Sequence, residues 1–247
     1  MTGSFLPDGV FRSEICFGDS DTDRFGRVEN SALLWQLQEI AGAHYDTLGW
    51  GYERIRSHGC FWAVIRNELA ITIPPRPGEA LWLDTWNGRS AHGLYRRHYR
   101  LQRPDGTVLV RGVSVWVLMD AAERALAADR SWLPEPVVLT QPGELSPARK
   151  VPFPELTERE DREVLSVEID RNGHLNNTVY LRWAADILPE EFAAAHTLGT
   201  LWVEYKRELL PGETAELAYS LAGQTLFLRG AAEGRDSFQM RCTYDPI

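Results

Sequence analysis

The sequence predicts an α+β fold of two tandem units, each a long helix packed against an antiparallel sheet. Three observations predict it: an internal duplication, a helical stripe followed by strand-length runs in each copy, and a proline-rich stretch between the copies. The 247 residues suit one large domain or two small ones. A hydrophobic content of 44% with 25% charged residues is that of a soluble globular chain.

The duplication is read from three matches in the same order. Asp23-Arg-Phe-Gly-Arg-Val-Glu-Asn-Ser31 aligns with Asp170-Arg-Asn-Gly-His-Leu-Asn-Asn-Thr178, 147 residues on. Trp62-Ala-Val-Ile-Arg-Asn-Glu-Leu69 aligns with Trp202-Val-Glu-Tyr-Lys-Arg-Glu-Leu209 at an offset of 140. Pro77-Gly-Glu79 aligns with Pro211-Gly-Glu213 at 134. The falling offset implies shorter connections in the second copy.

The elements follow in order. In copy one a short strand runs into the Asp-Arg motif. Leu33, Leu37, Ile40, His44 and Leu48 then fall on one helical stripe. Strand-like runs follow at Phe61–Ile73, Leu81–Gly88, Leu94–Arg103 and Val108–Met119, with Pro104-Asp-Gly106 as a turn. From Thr140 to Leu156, Pro142, Gly143, Pro147, Pro152 and Pro154 mark an extended linker, with the boundary at Leu145–Pro152. Copy two repeats the grammar. A helix is expected at Asn177–Ile187 with Tyr180, Trp183, Ala184 and Ile187 on one face. Strands are expected at Thr200–Leu209, Glu213–Leu221, Thr225–Ala231 and Phe238–Tyr244.

Several chemistries are excluded. A net charge of −9 argues against general phosphate-backbone binding. No apolar run approaches the ~18 residues that span a bilayer. The first 14 residues lack the pattern of a leader peptide, so the expected compartment is cytoplasmic. Cys16, Cys60 and Cys242 are scattered and indicate neither a disulfide framework nor a zinc site. No P-loop, GxGxxG or HExxH is present, the histidines show no metal-ligand spacing, and Gly88-Arg-Ser90-Ala-His92 fails the nucleophile-elbow pattern. No metal and no cofactor are expected.

What remains is Asp170-Arg-Asn172-Gly-His174-Leu-Asn176-Asn177, at the start of a helix whose free amides could hold an oxyanion and which Asn176 or Asn177 could cap. On the residues alone, two readings stand: an Asp-turn with a structural His174, or a site. Comparing the copies favours the site. Asp23, Gly26 and Asn30 keep the turn, but Phe25 and Arg27 replace Asn172 and His174, so the turn does not need that pair. Glu208 aligns with Glu68. A carboxylate inside an apolar strand is costly unless paired or functional, and that leaves a role common to both copies open.

At these residues the sequence resembles the acyl-acyl carrier protein thioesterases, which carry two hotdog folds in one chain. Leu37-Gln-Glu39-Ile-Ala41-Gly-Ala-His44 matches the family's first-helix pattern, and the Asp84-Thr85-Trp86 and Arg96-Arg97 strands have family counterparts. The family's Asp-x-Asn-x-His-x-Asn-Asn-x-x-Tyr is intact from Asp170 to Tyr180, and Glu204-Tyr205-Lys206-Arg207-Glu208-Leu209 resembles its Glu-Tyr-Arg-Arg-Glu-Cys strand. Leu209 departs from that pattern and removes a cysteine nucleophile there.

The resemblance implies a tandem (double) hotdog. Residues 1–145 would bind the acyl chain, and residues 152–247 would carry the catalytic Asp170, Asn172, His174 and Glu208. It implies a hydrolase of fatty acid biosynthesis that cleaves fatty acyl-acyl carrier protein to free fatty acid and carrier. The alternatives are an acyl-CoA thioesterase and a non-catalytic acyl-binding protein. Expected partners are the acyl-loaded carrier protein and a second copy in a homodimer, with no nucleic acid and no membrane span. The carrier is acidic, as is this chain, so Arg96, Arg97, Arg100 and Arg103 form the candidate docking patch. Glu68 is expected to be structural.

Overall fold

The strand-length runs become one antiparallel sheet. A computed structural model of the chain describes residues 1–147 and 150–247. Its strands are β1 (Ser4–Phe5), β2 (Phe11–Ile15), β3 (Cys60–Ile71), β4 (Leu81–Asn87), β5 (Tyr95–Gln102), β6 (Val108–Asp120), β7 (Glu158–Glu163), β8 (His196–Tyr205), β9 (Thr214–Ala222), β10 (Thr225–Ala232) and β11 (Arg235–Pro246). The helices are α1 (Asn30–Thr47), α2 (Tyr52–Ser57), α3 (Val179–Asp186) and α4 (Glu190–Ala195). None of them is long and apolar enough to cross a membrane among the described residues.

Sheet order exposes the duplication. The strands run β1-β2-β4-β5-β6-β3-β8-β11-β10-β9-β7, so β2-β4-β5-β6-β3 is answered by β7-β9-β10-β11-β8 in mirror order. The halves join where β3 pairs antiparallel with β8, from Arg66 opposite Glu204 to Ala70 opposite Thr200. This is a tandem hotdog, in which each half lays a helix over its own part of the sheet. Leu33, Leu34, Leu37 and Ile40 of α1 are buried against it, as are Tyr180, Trp183 and Ala184 of α3. Each buried leucine or isoleucine among them contributes about 1.5–3 kcal/mol by leaving water. Leu48, expected on the α1 stripe, lies past the helix end and is exposed.

The registers correct the middle match of the duplication. β3 ends at Ile71 and β8 at Tyr205, 134 residues apart, and each is followed by the Pro77-Gly78 or Pro211-Gly212 turn at the same offset. Trp202 is therefore the counterpart of Glu68, which it faces directly across the β3–β8 pair, and the pseudo-twofold axis passes there. Trp62 and Trp202 are not equivalent, and the counterpart of Glu208 is Pro74. The offset does not slide; it steps from 147 at the Asp-Arg motif to 134 at the central strand. Copy one thus carries 13 more residues between these points, and α1 and α2 together are 10 residues longer than α3 and α4.

The expected boundary at Leu145–Pro152 includes residues 148 and 149, which lie outside the described residues. On either side the linker crosses the sheet face away from the helices. Val138 bridges Asn87, Trp86 donates its indole N–H to Glu144 (2.7 Å), and Phe153 packs against Trp202 and Phe227.

Candidate active site

Both Asp-Arg motifs fold into the same turn. In copy one, Asp23 N donates to Arg27 O (2.7 Å), Gly26 N to Asp23 O (2.9 Å) and Phe25 N to Asp23 Oδ1 (2.8 Å). In copy two, Asp170 N donates to His174 O (2.9 Å), Gly173 N to Asp170 O (3.0 Å) and Asn172 N to Asp170 Oδ1 (2.7 Å). Gly26 and Gly173 both sit at positive φ, +73° and +85°, where a Cβ is disfavoured. Asp and Gly recur because the turn requires them.

The unshared positions do different work. In copy one, Phe25 lies under the guanidinium groups of Arg24 and Arg27. Arg27 donates to Asp23 (3.0 Å), to His196 O (2.9 Å) and to Ala193 O (3.0 Å), tying this turn to the α4–β8 junction. In copy two, Asn172 Nδ2 donates to Asp170 Oδ2 (3.4 Å), and its Oδ1 is buried with no protein partner. His174 Nδ1 lies 3.7 Å from Asp170 Oδ2 and 3.4 Å from Leu175 O, while Nε2 lies 3.9 Å from Glu208 Oε1. The four residues singled out in the sequence are thus brought together.

Glu208 arrives by a route the sequence reading missed. It was expected within a strand reaching Leu209, but β8 ends at Tyr205. Lys206 N and Arg207 N both donate to Ser237 O (2.8 and 3.1 Å), which breaks the ladder. Glu208 sits in the connection beyond, and its side chain is one-third exposed (33%), so it bears no cost of burial in an apolar strand. Leu209 anchors that connection: its side chain is fully buried, and its carbonyl accepts Leu175 N (2.8 Å). Glu208 is thereby clamped to the turn that holds His174. Its Oε2 accepts from Arg124 of copy one, a partner that the sequence reading did not name.

The amides at this turn are partly committed. Leu175 N goes to Leu209 O and Asn176 N to Glu168 O (2.9 Å). Asn176 Oδ1 accepts from Thr178 N (2.9 Å) and Thr178 Oγ1 (2.8 Å), so Asn176 closes the turn just ahead of α3. This leaves the amides of His174 and Asn177 without a protein acceptor among the described residues.

The cluster opens onto a cavity of about 980 Å³. One wall is α1 and α2, with Trp35, Gln38, Gly42 and Tyr45. A second is Phe61–Ile65 of β3 and Trp116 of β6, and Tyr180 of α3 with Tyr205 at the end of β8 closes the side toward copy two. Gln38 Nε2 is buried on this wall with no protein partner; its one sequence signal is the Leu37-Gln-Glu39 pattern. Arg97, also a lining residue, donates to His44 Nδ1 (2.7 Å), Thr85 Oγ1 (3.2 Å) and Asn87 Oδ1 (3.0 Å). Burial and then Arg97 push the His44 imidazole down to about 3, so it stays neutral and serves as an acceptor.

The expected docking patch is taken apart by strand alternation. Arg97 is buried, Arg100 donates to Asp84 (2.7 Å), and Arg103 pairs with Glu79 (2.5 Å); only Arg96 is exposed. The cysteines stand apart from the site, and none of them lines the cavity. Burial pushes the Cys242 thiol up to about 12. Among the described residues no three His, Cys, Asp or Glu side chains group so as to hold a metal ion.

Residues 10–129 match the acyl-ACP thioesterase N-terminal domain and residues 155–243 the acyl-ACP thioesterase C-terminal domain. Among curated relatives, the chloroplastic palmitoyl-acyl carrier protein thioesterase of Gossypium hirsutum is 27% identical over 232 residues, covering 83% of this chain and 54% of the relative. The chloroplastic oleoyl-acyl carrier protein thioesterase 1 of Arabidopsis thaliana is 24% identical, covering 83% and 62%. The chain therefore spans little more than half the length of these relatives. Among solved structures, an acyl-ACP thioesterase from Bacteroides thetaiotaomicron superposes with a TM-score of 0.84 at 18% identity, covering 96% of this chain and 98% of that one. The 12:0-ACP thioesterase of Umbellularia californica gives 0.82 at 19% identity, covering 96% and 98%. At these identities the structures establish the shared fold.

Proposed function

This chain belongs to the acyl-ACP thioesterase family, and from that premise we propose that it hydrolyses fatty acyl thioesters of acyl carrier protein to free fatty acid and carrier thiol. The observation that carries the proposal is the convergence of Asp170, Asn172, His174 and Glu208 at a cavity that α1 and β3 help to wall. The acyl chain lies in that cavity, where residues 1–145 bind it alongside Tyr180 and Tyr205 of copy two, and residues 152–247 supply most of the reacting groups.

Water is the nucleophile. Glu208 Oε1 takes its proton as its oxygen attacks the thioester carbonyl carbon. Asn172, which lines the same cavity, helps to orient that water. The amides of His174 and Asn177 hold the oxyanion. The C–S bond then breaks, and the departing sulfur is protonated through His174. Asp170 positions the site: one oxygen holds the Asn172 amide, and the other faces the imidazole.

The carrier docks at the cavity mouth. Tyr52 and Ile55 of α2 and Arg171 of the catalytic turn line it; Arg171 is exposed, as are Arg54 and Arg56 of the same α2, and none of the three arginines has a carboxylate partner among the described residues. Arg171 stacks on Tyr52 at 3.7 Å. The proposal includes a cytoplasmic enzyme and a homodimer, which fractionation and sedimentation test. The deciding experiment is thiol release from acyl carrier protein and from CoA, each loaded with acyl groups of varied length. Preference for the carrier supports the proposal. Preference for CoA makes the chain an acyl-CoA thioesterase, and release from neither makes it an acyl-binding protein.

A further inference from the structure

Glu208 is held from the other half of the molecule. Arg124 follows β6 in copy one at φ +52°, a left-handed conformation uncommon for residues other than Gly, Asn and Asp. Asp120 builds the turn that imposes it. Its Oδ1 accepts Ala122 N (2.8 Å) and Glu123 N (2.9 Å), its carbonyl accepts Arg124 N (3.0 Å), and its amide donates to Ala125 O (2.8 Å). From this turn the guanidinium passes over the ring of Phe61, 5.4 Å from its centroid, and donates to Glu208 Oε2. The other oxygen, Oε1, is the one that faces His174 Nε2.

We propose that Arg124 is a positioning residue for the reaction: by occupying Oε2 it fixes the Glu208 carboxylate with Oε1 toward the imidazole. The inference rests on the reading of Glu208 given above. It means that the reacting constellation is completed across the pseudo-twofold axis, with copy one contributing a cation to the chemistry of copy two. A carboxylate on a side chain with three rotatable bonds, one-third exposed, samples many rotamers unless one oxygen is tethered. A misplacement of about 1 Å at a reacting group can cost on the order of 100-fold.

Arg124→Gly is the test, because glycine accepts the left-handed backbone and leaves the fold intact. Its expected kcat falls on the order of 10–100-fold with KM nearly unchanged and Tm maintained. Added guanidinium chloride at millimolar concentration restores part of the turnover, and Arg124→Lys retains more than Arg124→Gly. In a Glu208→Gln background, Arg124→Gly costs nothing further. Turnover in Arg124→Gly equal to the parent, or losses that multiply in the double variant, overturns the proposal. A parent chain that releases no thiol from any substrate sinks the thioesterase reading instead. The side-chain ¹⁵N resonances of His174 then decide on Arg124. They are expected to shift in Arg124→Gly but not when Glu208 is already Gln, and an unchanged spectrum overturns the assignment.

Discussion

The two halves share a turn and five strands but treat the space between helix and sheet differently. In copy two, α3 is eight residues long, and Tyr180 fills that space with Trp183, Tyr205 and Phe238 at ring separations of 5.7, 5.3 and 4.5 Å. In copy one, α1 has 18 residues and α2 follows it, and both wall the cavity, which Tyr180 and Tyr205 of copy two close from the other side. Most of copy one's 13 extra residues are helical: α1 and α2 hold 24 residues, α3 and α4 only 14. The chemistry has the opposite distribution: copy two keeps Asn172 and His174 where copy one has Phe25 and Arg27. On the proposed function, room and reactivity are parted between two versions of one unit.

The largest expected effect tests that parting at the matched turns. Asp170→Asn and His174→Ala are expected to lower thioester turnover on the order of 10²–10⁴-fold. Asp23→Ala and Arg27→Ala are expected to lower Tm and leave turnover near the parent's. Comparable turnover losses in both pairs would erase the distinction between the halves.

The cavity offers the next test. Gly42 lines it, and nothing lies within 4 Å of the Cβ it lacks. Gly42→Leu is expected to favour short acyl chains. Excluding four methylenes at about 0.8 kcal/mol each changes the long-to-short ratio of kcat/KM by about 3 kcal/mol, on the order of 100-fold. An unchanged chain-length profile would remove the cavity from substrate binding.

A smaller effect belongs to His44. Its folded pKa of about 3 lies below its ordinary 6.5, so the unfolded chain takes up the proton first as pH falls. Its contribution to stability is complete above pH 6.5 and is lost progressively toward pH 3. Between pH 7 and 5 this amounts to about 2 kcal/mol. Urea unfolding at both pH values should show that difference in the parent and a flatter response in His44→Gln, and equal responses would refute it. Least of all should change when Cys16, Cys60 and Cys242 are replaced together. Turnover near the parent's is expected, and a folded but inactive triple variant would restore a thiol mechanism.

Much of this was legible. The Asp170–Asn177 turn could be read because Asp and Gly serve backbone geometry and so recur, which made the unshared Asn172 and His174 conspicuous. The four long strands of copy one were readable from their apolar content. β7, Glu-Arg-Glu-Asp-Arg-Glu, has no apolar residue at all and was legible only as the counterpart of β2; as an edge strand it repels further pairing. The Glu68–Glu208 equivalence failed because two Trp-to-Leu segments happen to align six residues out of true register, and no side-chain pattern reports where a ladder ends. Arg124 had no signal, since its turn is built around Asp120 and its partner lies 84 residues away.

The β3–β8 ladder has an evolutionary consequence. In a symmetric pair of identical units, every substitution is made twice, so a change that enlarges one cavity enlarges both and a residue lost from one constellation is lost from both. Joined in one polypeptide across that ladder, the copies can be selected separately. Phe25 at one turn and Asn172 at the other are the kind of divergence that such a fusion permits and a homodimeric ancestor forbids.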